Sequence, residues 1–146
     1  VLSMALALHL HALGLVRYPP DAGGDVAVPP GFIVEMPSTP DACVLIRPRP
    51  GFPSGDMSGY ELAEQHIVVR ARADAGYRAG YDQAKRIRDA LHGTGETVWA
   101  AGTEHEVPIA WCNASDAEPV WLGRDEQNRP MWSVSIQTEA LITMEV

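Results

Sequence analysis

The side chains able to do chemistry are few and scattered. The histidines are His9, His11, His66, His92 and His105. No two have the His-Glu-x-x-His spacing that sets a pair of imidazoles on one helical face for zinc, and Cys43 and Cys112 make no Cys-x-x-Cys. Glu104-His105-Glu106 is the densest titratable cluster, with Cys112 nearby, and it falls in a predicted turn. Ser54, Ser58 and Ser115 lack the context of a nucleophile elbow. Asp125–Glu126 lies on a predicted hairpin tip, where carboxylates are solvated rather than tuned for acid–base work. Asn113-Ala114-Ser115 spells a glycosylation sequon, a triplet that arises readily by chance. The glycines of 48–60 are not followed by Gly-Lys-Ser/Thr, so they make no phosphate-binding loop. Catalysis needs convergent groups with perturbed pKa. This set nominates no catalytic residue, no cofactor and no metal ligand.

Charge is the stronger signal. The 146 residues carry a net charge of −8, unevenly spread. Residues 1–63 hold three basic and six acidic groups, 64–92 hold six and four, and 93–146 hold two and nine. An acidic chain of this kind does not coat nucleic acid unspecifically, which needs an excess of Lys and Arg. A basic segment followed by an acidic one suits a patch on one copy meeting a patch on another; a solvated, unevenly charged surface is the simpler reading. On 64–92, the pairs Arg78–Asp82, Asp82–Arg86 and Lys85–Asp89 have i,i+4 spacing, each worth about 0.2–0.5 kcal/mol on an exposed helix. Arg70 and Arg72 are predicted on one strand face and call for carboxylate partners, within the fold or across an interface.

These residues sit on one central unit. In His66–Asp74, Ile67, Val69, Ala71 and Ala73 alternate with His66, Val68, Arg70, Arg72 and Asp74, the period of a strand with one buried face. Ile67, Val69 and Ala71 should be buried, with Arg70 and Arg72 pointing away from the helix-covered core. Tyr77, Gly80, Tyr81, Ala84, Ile87 and Leu91 then recur at helical steps. Asp74 is the expected N-cap and Gly93 the left-handed residue that ends the helix.

The rest of the chain reads as sheet partners and cover. Residues 1–16 predict an N-terminal helix. Leu2, Leu6, Leu10 and Leu13 share one face and Met4, Leu8 and Leu15 another, so it should be buried between two surfaces, one of them a neighbouring subunit. The stretch is apolar like a signal peptide, but it lacks a basic start and a cleavage site. Val1 fits either a GTG start or a trimmed terminus. Residues 17–31 are a Pro/Gly link, 32–36 and 42–47 short strands, and 48–60 a long loop. Strands at 96–101, 107–112, 120–122 and 131–143 complete the list, the last two flanking GRDEQNRP as a hairpin. In the final strand Trp132, Val134, Ile136, Thr138 and Ala140 share a face. The fold class predicted is α+β: one domain over 1–146, a mainly antiparallel sheet against an N-terminal and a central helix. Two cysteines make no disulfide framework, so buried thiols are expected. No apolar run of about 18 residues predicts a membrane span.

In its order of elements the chain resembles the tail terminator (minor capsid) proteins of long-tailed bacteriophages. The resemblance rests on the apolar N-terminal helix with its Pro/Gly link, on HIVVRARADAGYRAGYDQAKRIRDAL, and on GRDEQNRPMWSVSIQTEAL, and covers roughly 30–142. It implies a structural protein of the virion tail at the head–tail junction, assembled in the host cytoplasm. It further implies a homo-hexameric ring that caps the tail tube, ends tube polymerisation and meets the head connector, with phage DNA crossing the lumen unbound. With a ring in view, Arg70, Arg72, Arg78, Lys85, Arg86 and Arg88 become the expected basic half of a subunit contact. Glu104, Glu106, Asp125 and Glu126 become the acidic half. Another head-completion or tail-tube protein of similar fold, or a small enzyme or ligand-binding domain, are the alternatives. An enzyme would show a concave pocket with convergent polar groups.

Overall fold

The structure is a computed structural model and describes residues 2–21, 27–52 and 59–141. In chain order its elements are α1 (Leu2–Ala12), β1 (Gly31–Ile33), β2 (Cys43–Phe52), β3 (Tyr60–Arg70), α2 (Tyr77–Leu91), β4 (Thr97–Trp99), β5 (Val107–Ala114), β6 (Val120–Arg124) and β7 (Pro130–Leu141). The strands form one sheet in the order β1-β2-β3-β7-β5-β4, with β6 also paired to β7. All pairings are antiparallel except β1 with β2. The predicted α+β class with a mainly antiparallel sheet is what the chain adopts.

Both helices lie on one face of the sheet. Ala5, Leu6, Ala7 and Leu10 of α1 and Ala84, Ile87 and Leu91 of α2 join Val44, Ile46, Ile67, Val69, Ile109, Cys112, Val134, Ile136 and Ala140 from the strands in one core. Two-residue alternation in β3 and β7 and three-to-four-residue spacing in α2 put these side chains inward, as their sequence periods require. Ser3 of α1 donates to Gln65 of β3 at 2.6 Å, and Gln83 of α2 donates to the carbonyl of Leu15 at 2.7 Å, so polar groups lock both helices to the unit.

Several boundaries differ from the expectations. Helix α1 stops at Ala12 rather than at 16, because Gly14 takes φ +75 and the last turn closes onto the His9 and His11 carbonyls. Leu13 is consequently exposed. The link expected over 17–31 already enters β1 at Gly31, and its 22–26 portion lies outside the described residues. The predicted loop over 48–60 is strand at both ends, since β2 runs on to Phe52 and β3 begins at Tyr60. Pro48 and Pro50 are tolerated there because β1 covers only Val44–Ile46, and among the described residues no other strand on that side of β2 needs a donor. Residues 53–58 of that loop lie outside the described residues.

The central strand ends at Arg70, not Asp74. Asp74 does not cap α2: the N-cap is Gly76, with no side-chain hydrogen bond, and the Asp74 carboxylate instead accepts from Arg72 at 2.8 Å. At the other end Gly93 takes φ +72, as expected of the residue after a helix. Ile67, Val69 and Ala71 are buried as predicted, but the opposite face is closed as well, with Leu45, His66, Val68, Arg70 and Ser133 all buried. The segment 37–41 covers that face at the Arg70 end, where its carbonyls take up an arginine.

Candidate assembly surfaces

Two buried arginines organise one end of the sheet. Arg70, 5% exposed, donates to the carbonyls of Pro37, Pro40 and Asp41 at 2.7–2.8 Å. Arg129, 4% exposed, donates through Nε to Asp125 at 2.7 Å and through Nη1 to Asp41 at 3.1 Å, and its remaining Nη2 donates to Gln127. Carbonyls can hold a buried guanidinium because its fixed fork meets several acceptors at once. Arg70 therefore found its partners inside the fold, as backbone oxygens rather than carboxylates. It does not share a strand face with Arg72, which lies beyond the strand end and is exposed.

Asp125, expected as a solvated tip carboxylate, is held by this same arginine. Its side chain is only 16% exposed and accepts from the Gln127 and Arg129 backbone N–H groups. Desolvation alone would raise its pKa, but the Arg129 backbone and guanidinium hydrogen bonds hold it below the ordinary value. For Arg129, desolvation lowers the pKa while Asp125 and Asp41 together hold it above its usual range. Glu126, next in the chain, is exposed.

The other nominated residues lie at the surface. Arg78 pairs with Asp82 at 3.7 Å and Lys85 with Asp89 at 3.3 Å along α2. The expected Asp82–Arg86 pair does not form, and Arg86 is exposed. Arg88 bonds Asp89 and reaches the Asp116 carbonyl, tying α2 to the β5–β6 connection. Glu104 and Glu106 sit in the β4–β5 turn, where Glu106 accepts from the Gly102 N–H. The fold thus brings Asp125 to Arg129 rather than to the basic face of α2.

Sequence reasoning missed an aromatic cluster where α2, β6 and β7 meet. Trp132 packs edge-on against Trp121 at 5.0 Å and Tyr81 at 5.1 Å, and its indole N–H donates to the Tyr77 carbonyl at 3.0 Å. Gly80 permits this approach, since a Cβ there would lie 3.0 Å from Trp132 Cδ1. Tyr77, Trp121, Arg124 and Trp132 line a shallow pocket of about 340 Å³. Tyr77 is 62% exposed, although its spacing puts it on the helical face of Gly80, Ala84, Ile87 and Leu91. Trp121 beside Val120 and Leu122 on a short strand was the available signal, as one face of such a strand cannot hide three consecutive apolar residues.

A cleft of about 660 Å³ lies between α2 and the 37–42 segment and is lined by Arg17, Arg70, Arg72, Arg86, Gln83 and Asp41 among others. It has one carboxylate and no histidine, cysteine or hydroxyl nucleophile, so it offers no base–nucleophile pair. Cys43 and Cys112 are both buried free thiols; burial raises both, Cys112 to about 12. Burial, followed by Arg47 and Arg49, lowers the His66 pKa, and its Nδ1 accepts from Arg47 at 3.1 Å. Among the described residues no three His, Cys, Asp or Glu side chains gather as a metal-holding group, and no helix is long and apolar enough to cross a membrane.

Among the described residues, fold and surface together define an α+β unit of two helices and seven strands whose prominent exposed features are charged faces and strand edges. The model of the bacteriophage tail terminator protein family matches residues 9–142. The chain belongs to that family, and is a structural protein of the phage tail. No curated protein matches it.

Proposed function

We propose that the chain is the subunit of a ring, of six copies, that caps the finished tail tube, ends its polymerisation and presents a surface to the head connector. The observation that carries this reading is family membership over 9–142. The surface is compatible with it. A contact between two different faces of the same chain closes into a ring when the rotation allows. The exposed basic groups Arg72, Arg78 and Arg86, with the less exposed Lys85 and Arg88, lie on or beside α2. Glu104, Glu106 and Glu126 are exposed in other turns. Such faces can meet head to tail, whereas Arg70 and Asp125 are engaged within the chain. The partly exposed sides of Met4, Leu8 and Leu15 supply apolar surface for a neighbour. A net charge of −8 per copy is in keeping with a lumen that lets DNA cross without sticking.

Native mass spectrometry of the purified chain, alone and with isolated tail tubes, tests the reading. A hexamer in solution or on the tube end is the expected result. A chain that stays monomeric in both settings overturns it.

A further inference from the structure

We propose that the aromatic pocket of Tyr77, Trp121, Arg124 and Trp132 receives Val98 and Glu96 from a second copy of this chain. The proposal rests on the ring reading and gives its subunit contact an apolar centre. Three observations lead to it.

The first is an unguarded edge. Among the described residues β6 pairs only with β7, leaving its outer side open. Val120, Trp121 and Leu122 there are each 43–44% exposed. The open length of β2 carries Arg47, Pro48, Arg49 and Pro50, charges and prolines that discourage pairing. No such residue interrupts Val120–Leu122, so this edge is built to be covered.

The second is the charge beside the pocket. Arg124 lines it and donates to the Asn128 carbonyl, with no carboxylate paired to it among the described residues. Its guanidinium and the two indoles suit an apolar side chain that arrives beside a carboxylate.

The third is a segment of the same chain with that chemistry. Among the described residues strand β4 is the terminal strand of the sheet, with no strand paired to its outer side. Val98, at the middle of β4, is 39% exposed, and Glu96, in the bend that leads into the strand, is exposed and makes no ion pair among the described residues. Glu104 and Glu106 of the adjoining turn add negative charge around it. Leu62 is a poorer occupant, because β3 is paired on both sides and Glu64 nearby is engaged by Arg49 and Gln137. Pocket and occupant lie on different parts of the chain, so the contact is head-to-tail and repeats, as a ring needs. Copies of net charge −8 repel unless a basic site meets an acidic one, which this pairing supplies.

A charge-swap mixing experiment tests it, under whichever condition, free or on tubes, the unmodified chain assembles. Arg124→Glu and Glu96→Arg change exposed side chains outside the core, and circular dichroism checks that both fold. Alone, each variant sets like charges against one another and should weaken association at least about tenfold. Mixed in equal amounts, every contact regains an opposite pair in an alternating ring, and assembly should return. Trp121→Ala should weaken assembly without being rescued by either partner. If the unmodified chain assembles but the single variants do too, or the mixture fails to recover, this pairing is wrong while the ring reading survives. Rescue of Arg124→Glu by Glu35→Arg instead, beside the exposed Val34, would also overturn the choice of occupant. If the unmodified chain assembles in no condition, both readings fall together.

Discussion

Arg129 and Arg70 show how far one guanidinium can organise a surface segment. Arg129 holds Asp125 on the β6–β7 turn and Asp41 on the segment before β2, joining parts of the chain 88 residues apart. Arg129→Met keeps the stem but leaves the half-buried Asp125 carboxylate without its cation, and should lower stability by about 1–3 kcal/mol in urea unfolding. The Asp125 pKa lies below its ordinary value of 3.8 in the folded chain. The linked stability is therefore present above the unfolded value and lost as pH falls through the lower folded one. Asp125→Asn should flatten the fall of the urea midpoint below about pH 4 relative to the unmodified chain. Arg70→Glu would place an anion against three carbonyls and leave the 37–41 segment without its donor. We expect a loss of about 3 kcal/mol or more, with folding itself impaired, whereas Arg72→Glu at the surface should shift stability by less than about 0.5 kcal/mol. Equal midpoints for the two variants would contradict the placement of Arg70.

At the scale of elements, the long β2–β3 pair depends on a single glycine. The register shifts between Arg49 and Phe52, and Gly51 within that bulge takes φ +59. A Cβ there would lie 2.5 Å from the Leu62 carbonyl oxygen, a backbone atom that has no easy way to yield. Gly51→Val should cost roughly 2–3 kcal/mol through strain and the displaced ladder. Hydrogen exchange should report the loss at Glu64–Gln65 while α2 keeps its protection. Uniform loss over both elements would mean the bulge is coupled to the whole sheet. Gly80 has a different role: it lets α2 sit close enough to β7 for Trp132 to reach the Tyr77 carbonyl.

For the whole molecule the relevant quantity is the distribution of charge. Exposed ion pairs contribute about 0–1 kcal/mol each and are screened by salt, but a ring repeats every pair at each interface. If the proposed ring forms through α2, Arg78→Glu with Lys85→Glu should lower the fraction of assembled chain at low ionic strength and leave the fold intact by circular dichroism. Raising salt toward 1 M, where the Debye length is about 3 Å, should reduce the difference between this variant and the unmodified chain. An unchanged assembled fraction at low salt would move the contact away from α2, toward the apolar surface of α1 and β6.

Much of the architecture was legible in the sequence because it rests on local periodicity. The alternation through Ile67 and Val69, the helical spacing from Gly80 to Leu91, the left-handed Gly93 and the inward face of β7 depend on neighbours a few residues away. The resemblance to tail terminators likewise came from element order, which the family match over 9–142 bears out. What only tertiary structure decided was the company each polar residue keeps. Arg70 and Arg72 have the same type and strand parity, yet one is buried under 37–41 and the other exposed, because the strand ends between them and a distant segment folds over the first. Asp125 and Glu126 diverge for the same reason, since only Asp125 faces Arg129. The aromatic pocket draws Tyr77, Trp121 and Trp132 from three elements, two of them 55 residues apart, and no local period encodes such a meeting. Pairing across long separations is set by how the sheet closes against its helices, and that closure is a property of the packed chain rather than of any one segment.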